Sequence, residues 1–343
     1  MKIAFFSKLL PSDEPNGVSV QADRLAGALC GLGHDVTCFS FSPRPEGAPY
    51  RVTVLPWNGG GRLLRKFRPA LAFRAVGAGD FDITHFHGDD WLCPGSRKRV
   101  RTFYGSALFE ALHAKSPLRF LYQAFFYKLE WISCLRRGAL AGISRATARG
   151  LPLVKNVVTC GVPLDRFSPA EGAKTAAPSI LFIGDFNSRK RGGLLLKVFQ
   201  KEVLPVFPDC RLTVVGPEKI TAPNVSCPGR IGEAALIAEY RKAWIYALPS
   251  SYEGFGVPAI EAMACGTAVV ATHNAGIAEI ITHEKNGLIC SAQSLGFSLL
   301  RALKDQVLRN CLTGNGLTRA KDFDIVAIAR RYEEIYTSLI NQK

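Results

Sequence analysis

Apolar residues in this chain follow two rhythms that take turns along its length. Residues 2–7 and 35–41 are short, nearly unbroken apolar runs, and residues 20–32 between them carry the wider spacing of a helix. Gly31 and Gly33 close that helix where a left-handed backbone is wanted, and Val36, Cys38 and Phe39 restart an apolar run, so the opening segment predicts a β-α-β unit. Residues 83–87 and 100–103 continue as strands. Residues 117–140 form an aromatic, apolar stretch that reads as a long helix or helix pair, packed between domains or against lipid. Residues 163–179 are short on apolar side chains and rich in Pro, Ala and Gly. After them the alternation resumes, with strands at 180–183, 212–215, 245–248 and 268–271, helices at 193–203, 232–242 and 258–264, and a last helix at 325–340.

Both halves therefore predict an α/β fold of doubly wound type with a parallel sheet in each. A length of 343 residues agrees with two domains of roughly 150–170 residues each. The expected division is a first domain over 1–167, a linker over 168–179, a second domain over 180–324, and a helix over 325–343 that crosses back onto the first domain.

Composition narrows the class without changing the fold. The start, MKIAFFSKLLPSDEPNG, is interrupted by Ser7, Lys8 and Pro11 before a signal core could form, so it reads as a first strand. No apolar run reaches the roughly 18 residues of a spanning helix. Ten cysteines are scattered without CxxC or Cys/His spacing, as expected for reduced, buried thiols in cytosol. The net charge of +15 is uneven: residues 1–175 hold 24 basic and 13 acidic side chains, and the rest hold 19 and 15. Two clusters stand out, Arg62, Arg65, Lys66 and Arg68, and Arg97, Lys98, Arg99 and Arg101. Either they dock an anionic lipid or acceptor, or they are solvated basic faces; Pro69 is expected to cut the first helix short. No nucleic-acid module accompanies the charge, and none is expected as partner.

The sharpest chemical signal is the segment 249–266, PSSYEGFGVPAIEAMACG, a strand end passing through a Gly-rich loop into a helix opened by Pro258. Gly254 and Gly256 let backbone approach a ligand, and the amides of the helix start suit a phosphate oxygen. Glu253 in the loop suits sugar hydroxyls, and Glu261, one turn into the helix, suits a ribose diol. Otherwise Glu261 complements the helix dipole and Glu253 is a surface loop residue. The string EGFGVPAIEAMACGTAVVAT, continued by Ala275-Gly276-Ile277-Ala278-Glu279 and Asn286-Gly287-Leu288, resembles the E-x7-E signature of retaining GT-B glycosyltransferases of family 4.

That resemblance implies a GT-B fold of two Rossmann-like domains facing a cleft, with a UDP- or GDP-sugar donor on the second. It implies that Glu253 orders the sugar, that Arg189 and Lys190 stabilise the leaving diphosphate, and that Gly17, Gly184, Arg230, Ile231, Gly254, Phe255, Gly256, Val257 and Glu261 line the donor site. Two cations at a strand-to-helix turn agree with that role, since a diphosphate gains charge as the glycosidic bond breaks. The chain departs from the family at Asp185, where an Arg is usual, at Arg191, where a Gly is usual, and at Tyr104, where many relatives have a histidine touching the sugar; Arg189 or Arg191 is then the source of the displaced charge. His87 and Tyr104 are candidate acceptor or sugar contacts, with His87 either lining the cleft or packed, and His34 is structural. Asp80 and Asp82 precede their strand and follow Gly77 and Gly79, so they read as turn residues and not as a metal-binding pair. No metal and no cofactor beyond the donor is expected.

The resulting expectation is a hexosyl transferase acting on a saccharide or lipid-linked saccharide in cell-envelope polysaccharide or glycolipid synthesis, cytoplasmic and peripheral on the inner membrane face. A GT-B-like nucleotide-sugar epimerase or hydrolase and a non-catalytic nucleotide-binding peripheral membrane protein are the alternatives. A dinucleotide oxidoreductase is disfavoured because no GxGxxG follows the first strand.

Overall fold

The computed structural model describes the chain apart from residues 13–15, 57–63, 78, 115 and 343, and describes residues 64–66 by backbone alone. It forms two compact units, Met1–Gly161 with Ile325–Lys343, and Val162–Asp324.

The first unit runs β1 (Lys2–Phe6), α1 (Gly17–Gly31), β2 (Asp35–Ser40), β3 (Arg51–Val54), α2 (Leu64–Val76), β4 (Ile83–Phe86), β5 (Arg99–Phe103), α3 (Ala107–Leu112), α4 (Pro117–Cys134), β6 (Ala139–Gly142), α5 (Arg145–Gly150) and β7 (Asn156–Val157). Its seven strands are all parallel, in the order β3-β2-β1-β4-β5-β6-β7. Ile3, Ala4, Phe5 and Phe6 are fully buried, as a central strand covered on both faces requires. Helix α1 begins three residues before the apolar pattern because Asn16 caps it: the Asn16 side chain accepts from the amides of Val18 and Ser19, and Ser19 Oγ accepts from the Asn16 amide. Gly33 is the left-handed residue that ends it (φ 87°), whereas Gly31 is still helical.

Three expectations change. Pro69 does not end its helix; α2 runs through it to Val76, forgoing one backbone hydrogen bond near its start. The apolar stretch 117–140 is a helix only to Cys134 and then enters β6. Gly138 makes the break, with φ 137° and a backbone so close to Arg99 that a Cβ would lie 2.5 Å from that carbonyl oxygen. The basic cluster at 97–101 is not a surface patch. Arg99 is fully buried on Asp90 and Ser133, and Arg101 Nε lies 3.1 Å from Asp90, which leaves Arg97 and Lys98 outside. In the other cluster Arg62 lies outside the described residues, as do the side chains of Arg65 and Lys66.

The second unit runs β8 (Ser179–Ile183), α6 (Gly192–Val198), β9 (Arg211–Val215), β10 (Val225–Gly229), α7 (Glu233–Lys242), β11 (Ile245–Leu248), α8 (Val257–Ala264), β12 (Ala268–Thr272), β13 (Leu288–Cys290), α9 (Leu295–Lys304) and α10 (Gln306–Ala320). Its six parallel strands take the order β10-β9-β8-β11-β12-β13. The stretch 168–179 lies within this unit, where Lys174 Nζ donates to the Ala243 carbonyl and Trp244 Nε1 to that of Thr175. The last helix, α11 (Ile325–Asn341), belongs to the first unit and packs on α1, burying Ile328, Ala329, Tyr332 and Tyr336 with Leu25 and Leu29. No helix among the described residues is long and apolar enough to cross a membrane.

Candidate active site

In the second sheet the strand order reverses between β8 and β11, so the loops leaving these two neighbours diverge at the carboxyl edge, where open α/β sheets bind ligands. After β8, Gly184 (φ 151°) is pressed against Lys190: an added Cβ would meet the Lys190 Cβ at 2.9 Å. Asp185, at the position where the resemblance leads one to expect Arg, closes the turn by accepting from the amide and hydroxyl of Ser188, both at 2.7 Å. The turn delivers Arg189 and Lys190 together. Arg191 follows with φ 54°, a left-handed backbone that explains why a Gly would suit that position.

After β11 the loop carries Glu253, buried against both cations. Lys190 Nζ donates to Oε1 at 2.7 Å, and Arg189 Nη1 donates to Oε2 at 2.9 Å and to the Tyr252 carbonyl at 2.7 Å. Burial alone would push the Glu253 carboxyl up, but Lys190 and Arg189 outweigh it and hold the pKa down to about 2. A group with a depressed folded pKa adds stability above its unfolded value, near 4.5, and loses it as pH falls toward 2. The difference in urea midpoint between wild type and Glu253→Gln is therefore expected to be largest near neutrality and to shrink steadily below pH 4.5. A gap that stays constant down to the low pKa would contradict the ion cluster.

The loop is held from behind. Gly276 lies so near that a Cβ would be 2.5 Å from the Glu253 carbonyl oxygen, and Thr272 Oγ1 donates to the Ser250 carbonyl at 2.7 Å. Gly254 belongs to this loop, and Gly256 (φ 110°) turns the chain into α8, whose N-terminus has no side-chain cap. Val257 opens that helix, and Phe255 is buried against Phe323. Glu261 is buried one turn in and its Oε2 accepts from Tyr240 Oη at 2.9 Å. Tyr240, which the sequence reading missed, is a buried aromatic on α7 with the pattern of any core residue. Arg230 and Ile231 follow β10 at the same sheet edge, where the Gly229 carbonyl accepts from the Gly216 amide at 3.3 Å.

In the first unit the order reverses between β1 and β4, and a cavity of about 190 Å³ opens there. Its lining includes Ser7, Lys8, Asn16, Ser19, His87 and Asp89, with Gly17 between two lining residues at the start of α1. His87 is buried, its Nδ1 2.8 Å from Tyr104 Oη. Burial, then Arg101, pushes the His87 imidazole down to about 3, so it is neutral at physiological pH. Its Nε2 is buried and has no hydrogen-bond partner among the described residues. Asp89 sits at φ 55°, and burial raises its carboxyl pKa. His85 is packed: its two ring nitrogens meet Tyr336 Oη at 2.6 Å and Thr102 Oγ1 at 2.7 Å. His34 pairs with Glu333 at 3.0 Å, and Asp82 accepts from the Lys2 amide. Thus Gly184, Arg189, Lys190, Glu253 and the start of α8 gather at one sheet edge, and Gly17, His87 and Tyr104 at another.

Two family models match the chain. "Glycosyltransferase Family 4" takes in residues 15–166, and "Glycosyl transferases group 1" takes in residues 177–305. A phosphatidyl-myo-inositol mannosyltransferase of Mycobacterium tuberculosis is 26% identical over 94% of both chains. Among solved structures, the sucrose-phosphate synthase of Thermosynechococcus elongatus has a TM-score of 0.81 at 22% identity, covering 100% of both chains. Anabaena HepE, solved with UDP and glucose, has a TM-score of 0.77 at 16% identity, covering 98% of this chain and 100% of its own. With its two parallel sheets and both halves matched, the chain is a GT-B glycosyltransferase belonging to the group 1, family 4 glycosyltransferases.

Proposed function

We propose that the protein transfers a hexose, with mannose the first candidate, from a UDP- or GDP-sugar to a lipid-linked or saccharide acceptor of the cell envelope, with retention at the anomeric carbon. The observation that carries this reading is the cluster of Arg189, Lys190 and Glu253 at the β8/β11 reversal. Two cations share one buried carboxylate, so the group keeps an excess positive charge for an incoming diphosphate. As the glycosidic bond lengthens, that diphosphate becomes more negative and draws Arg189 and Lys190 more strongly than the ground state does. Glu253, released in part, accepts from sugar hydroxyls, Glu261 with Tyr240 behind it accepts from the ribose, and the departing phosphate helps deprotonate the acceptor hydroxyl. No metal is needed where these cations neutralise the leaving group, and no cofactor beyond the donor takes part. The cavity at His87 and Asp89 receives the acceptor. Support for mannose and a lipid acceptor comes from the mycobacterial relative's name, and for a nucleoside diphosphate from HepE.

The test is thermal shift with UDP, GDP, ADP and their sugar conjugates. One nucleotide family is expected to raise Tm by several degrees in the wild type and far less in Glu261→Ala and Lys190→Ala. No shift with any nucleotide from a folded sample would sink the reading. Retention is checked by the anomeric proton of the product.

A further inference from the structure

Glu261 is buried on α8, and its partner Tyr240 has no exposed surface at all. Tyr240 comes from α7, 21 positions earlier in the chain, and its Oη donates to Glu261 Oε2 at 2.9 Å. Burial, then Glu261 itself, pushes the Tyr240 phenol well above its usual pKa, so it keeps its proton and stays the donor. The tyrosine is held at both ends. Its ring packs edge-on against Phe167 and Tyr246, with centroids 6.3 and 5.6 Å away. Its backbone carbonyl accepts from Thr267 Oγ1, which in turn accepts from Lys174 Nζ at 2.8 Å.

A glutamate side chain turns about several bonds, and a carboxylate that nothing holds must give up that freedom whenever it takes up a ligand. Here Tyr240 removes much of it before any ligand arrives, which lowers the cost of binding and fixes the direction in which the carboxylate accepts. A fixed direction also sharpens selection. A buried carboxylate that cannot turn cannot make up for a hydroxyl missing from its ligand, whereas a loose one re-aims at whatever donor remains.

We propose that Tyr240 is a positioning residue that sets the protein's preference for ribonucleotide over 2′-deoxyribonucleotide ligands, by holding the Glu261 carboxylate in one orientation toward the ribose diol. With no exposed surface, Tyr240 does not touch the donor and acts through Glu261. The proposal rests on the reading of Glu261 as the acceptor of the ribose hydroxyls, and adds to it the residue that makes this contact selective.

The test is calorimetric titration with UDP, GDP and their 2′-deoxy counterparts, on the wild type, Tyr240→Phe, Glu261→Gln and the double variant. For the nucleotide that binds, the wild type is expected to favour the ribo form about tenfold, and Tyr240→Phe to cut that ratio to about twofold by weakening the ribo form more than the deoxy form. Phenylalanine keeps the ring between Phe167 and Tyr246, and a cooperative melt confirms the fold. Glu261→Gln alone should give a similarly narrowed ratio. In that background Tyr240→Phe should change the ratio no further, because the group it acts through is gone. A wild-type ratio in Tyr240→Phe, or an equal loss of ribo and deoxy affinity, would overturn the proposal and leave the transferase reading standing. So would an effect of Tyr240→Phe that persists undiminished beside Glu261→Gln. A wild type that binds both forms alike would sink the ribose role of Glu261 and the proposal with it, and a folded wild type that binds no nucleotide would sink the donor site as well.

Discussion

Lys190→Ala is expected to lower kcat by about two to three orders of magnitude, with a much smaller rise in KM for the donor. The split follows from where the ammonium sits. In the free protein Lys190 lies 2.7 Å from a Glu253 oxygen, so donor binding exchanges one anionic partner for another and gains little from this residue. The gain comes later, when the diphosphate carries the charge of the broken bond. Arg189 remains on Glu253 in the variant, at 2.9 Å, so the buried carboxylate keeps a cation and the fold should persist. Steady-state kinetics against donor concentration, with the melting temperature as control, decide the matter. A raised KM with unchanged kcat would make Lys190 a binding residue and remove it from the chemical step.

Asp90→Ala should be the most damaging single change to the first unit, by about 3–5 kcal/mol. Asp90 is buried, pairs with both Arg99 and Arg101, and accepts from Ser133 Oγ at 2.8 and 2.9 Å. Arg99 lies in the central part of the sheet with no exposed surface, so removal of the carboxylate leaves a guanidinium charge that water cannot reach. Urea unfolding of the wild type and variant gives the number. The exposed pair Arg119 with Glu110, 3.5 Å apart, is the contrast, where Arg119→Gln should cost no more than about 1 kcal/mol. Comparable losses from both changes would mean that Asp90 is not the anchor the geometry makes it.

These two sites were not equally legible. Lys190 stood out because two consecutive cations beside Gly184 are hard to explain at the start of a helix unless an anion binds there. Arg99 was visible only as a member of a basic run, and nothing in Arg97, Lys98, Arg99 and Arg101 marks which cations turn inward. Burial of a strand residue depends on its neighbours in the sheet, here β4 and β6, and on Asp90 nine positions earlier. The short strands β3, β7, β10 and β13 escaped the reading for a related reason: they complete sheets whose central strands carry the strong apolar runs.

The sequence alone determined the alternation of strands and helices, the existence of two doubly wound halves, and the loop that carries Glu253, because period and glycine placement act over a few residues. Tertiary structure decided what depends on partners far along the chain. It set Glu253 between Arg189 and Lys190 some sixty positions away, set Tyr240 behind Glu261, and left the buried Nε2 of His87 without a hydrogen-bond partner among the described residues while His85 was closed in by Tyr336 and Thr102. It also put the last helix on the first unit, where Tyr332 and Tyr336 fill the core beside α1. Periodicity reports which face of a helix is apolar, but only packing reveals whether that face is covered, and on α4 the face that is buried at Leu129 is exposed at Leu118, Leu121 and Phe125.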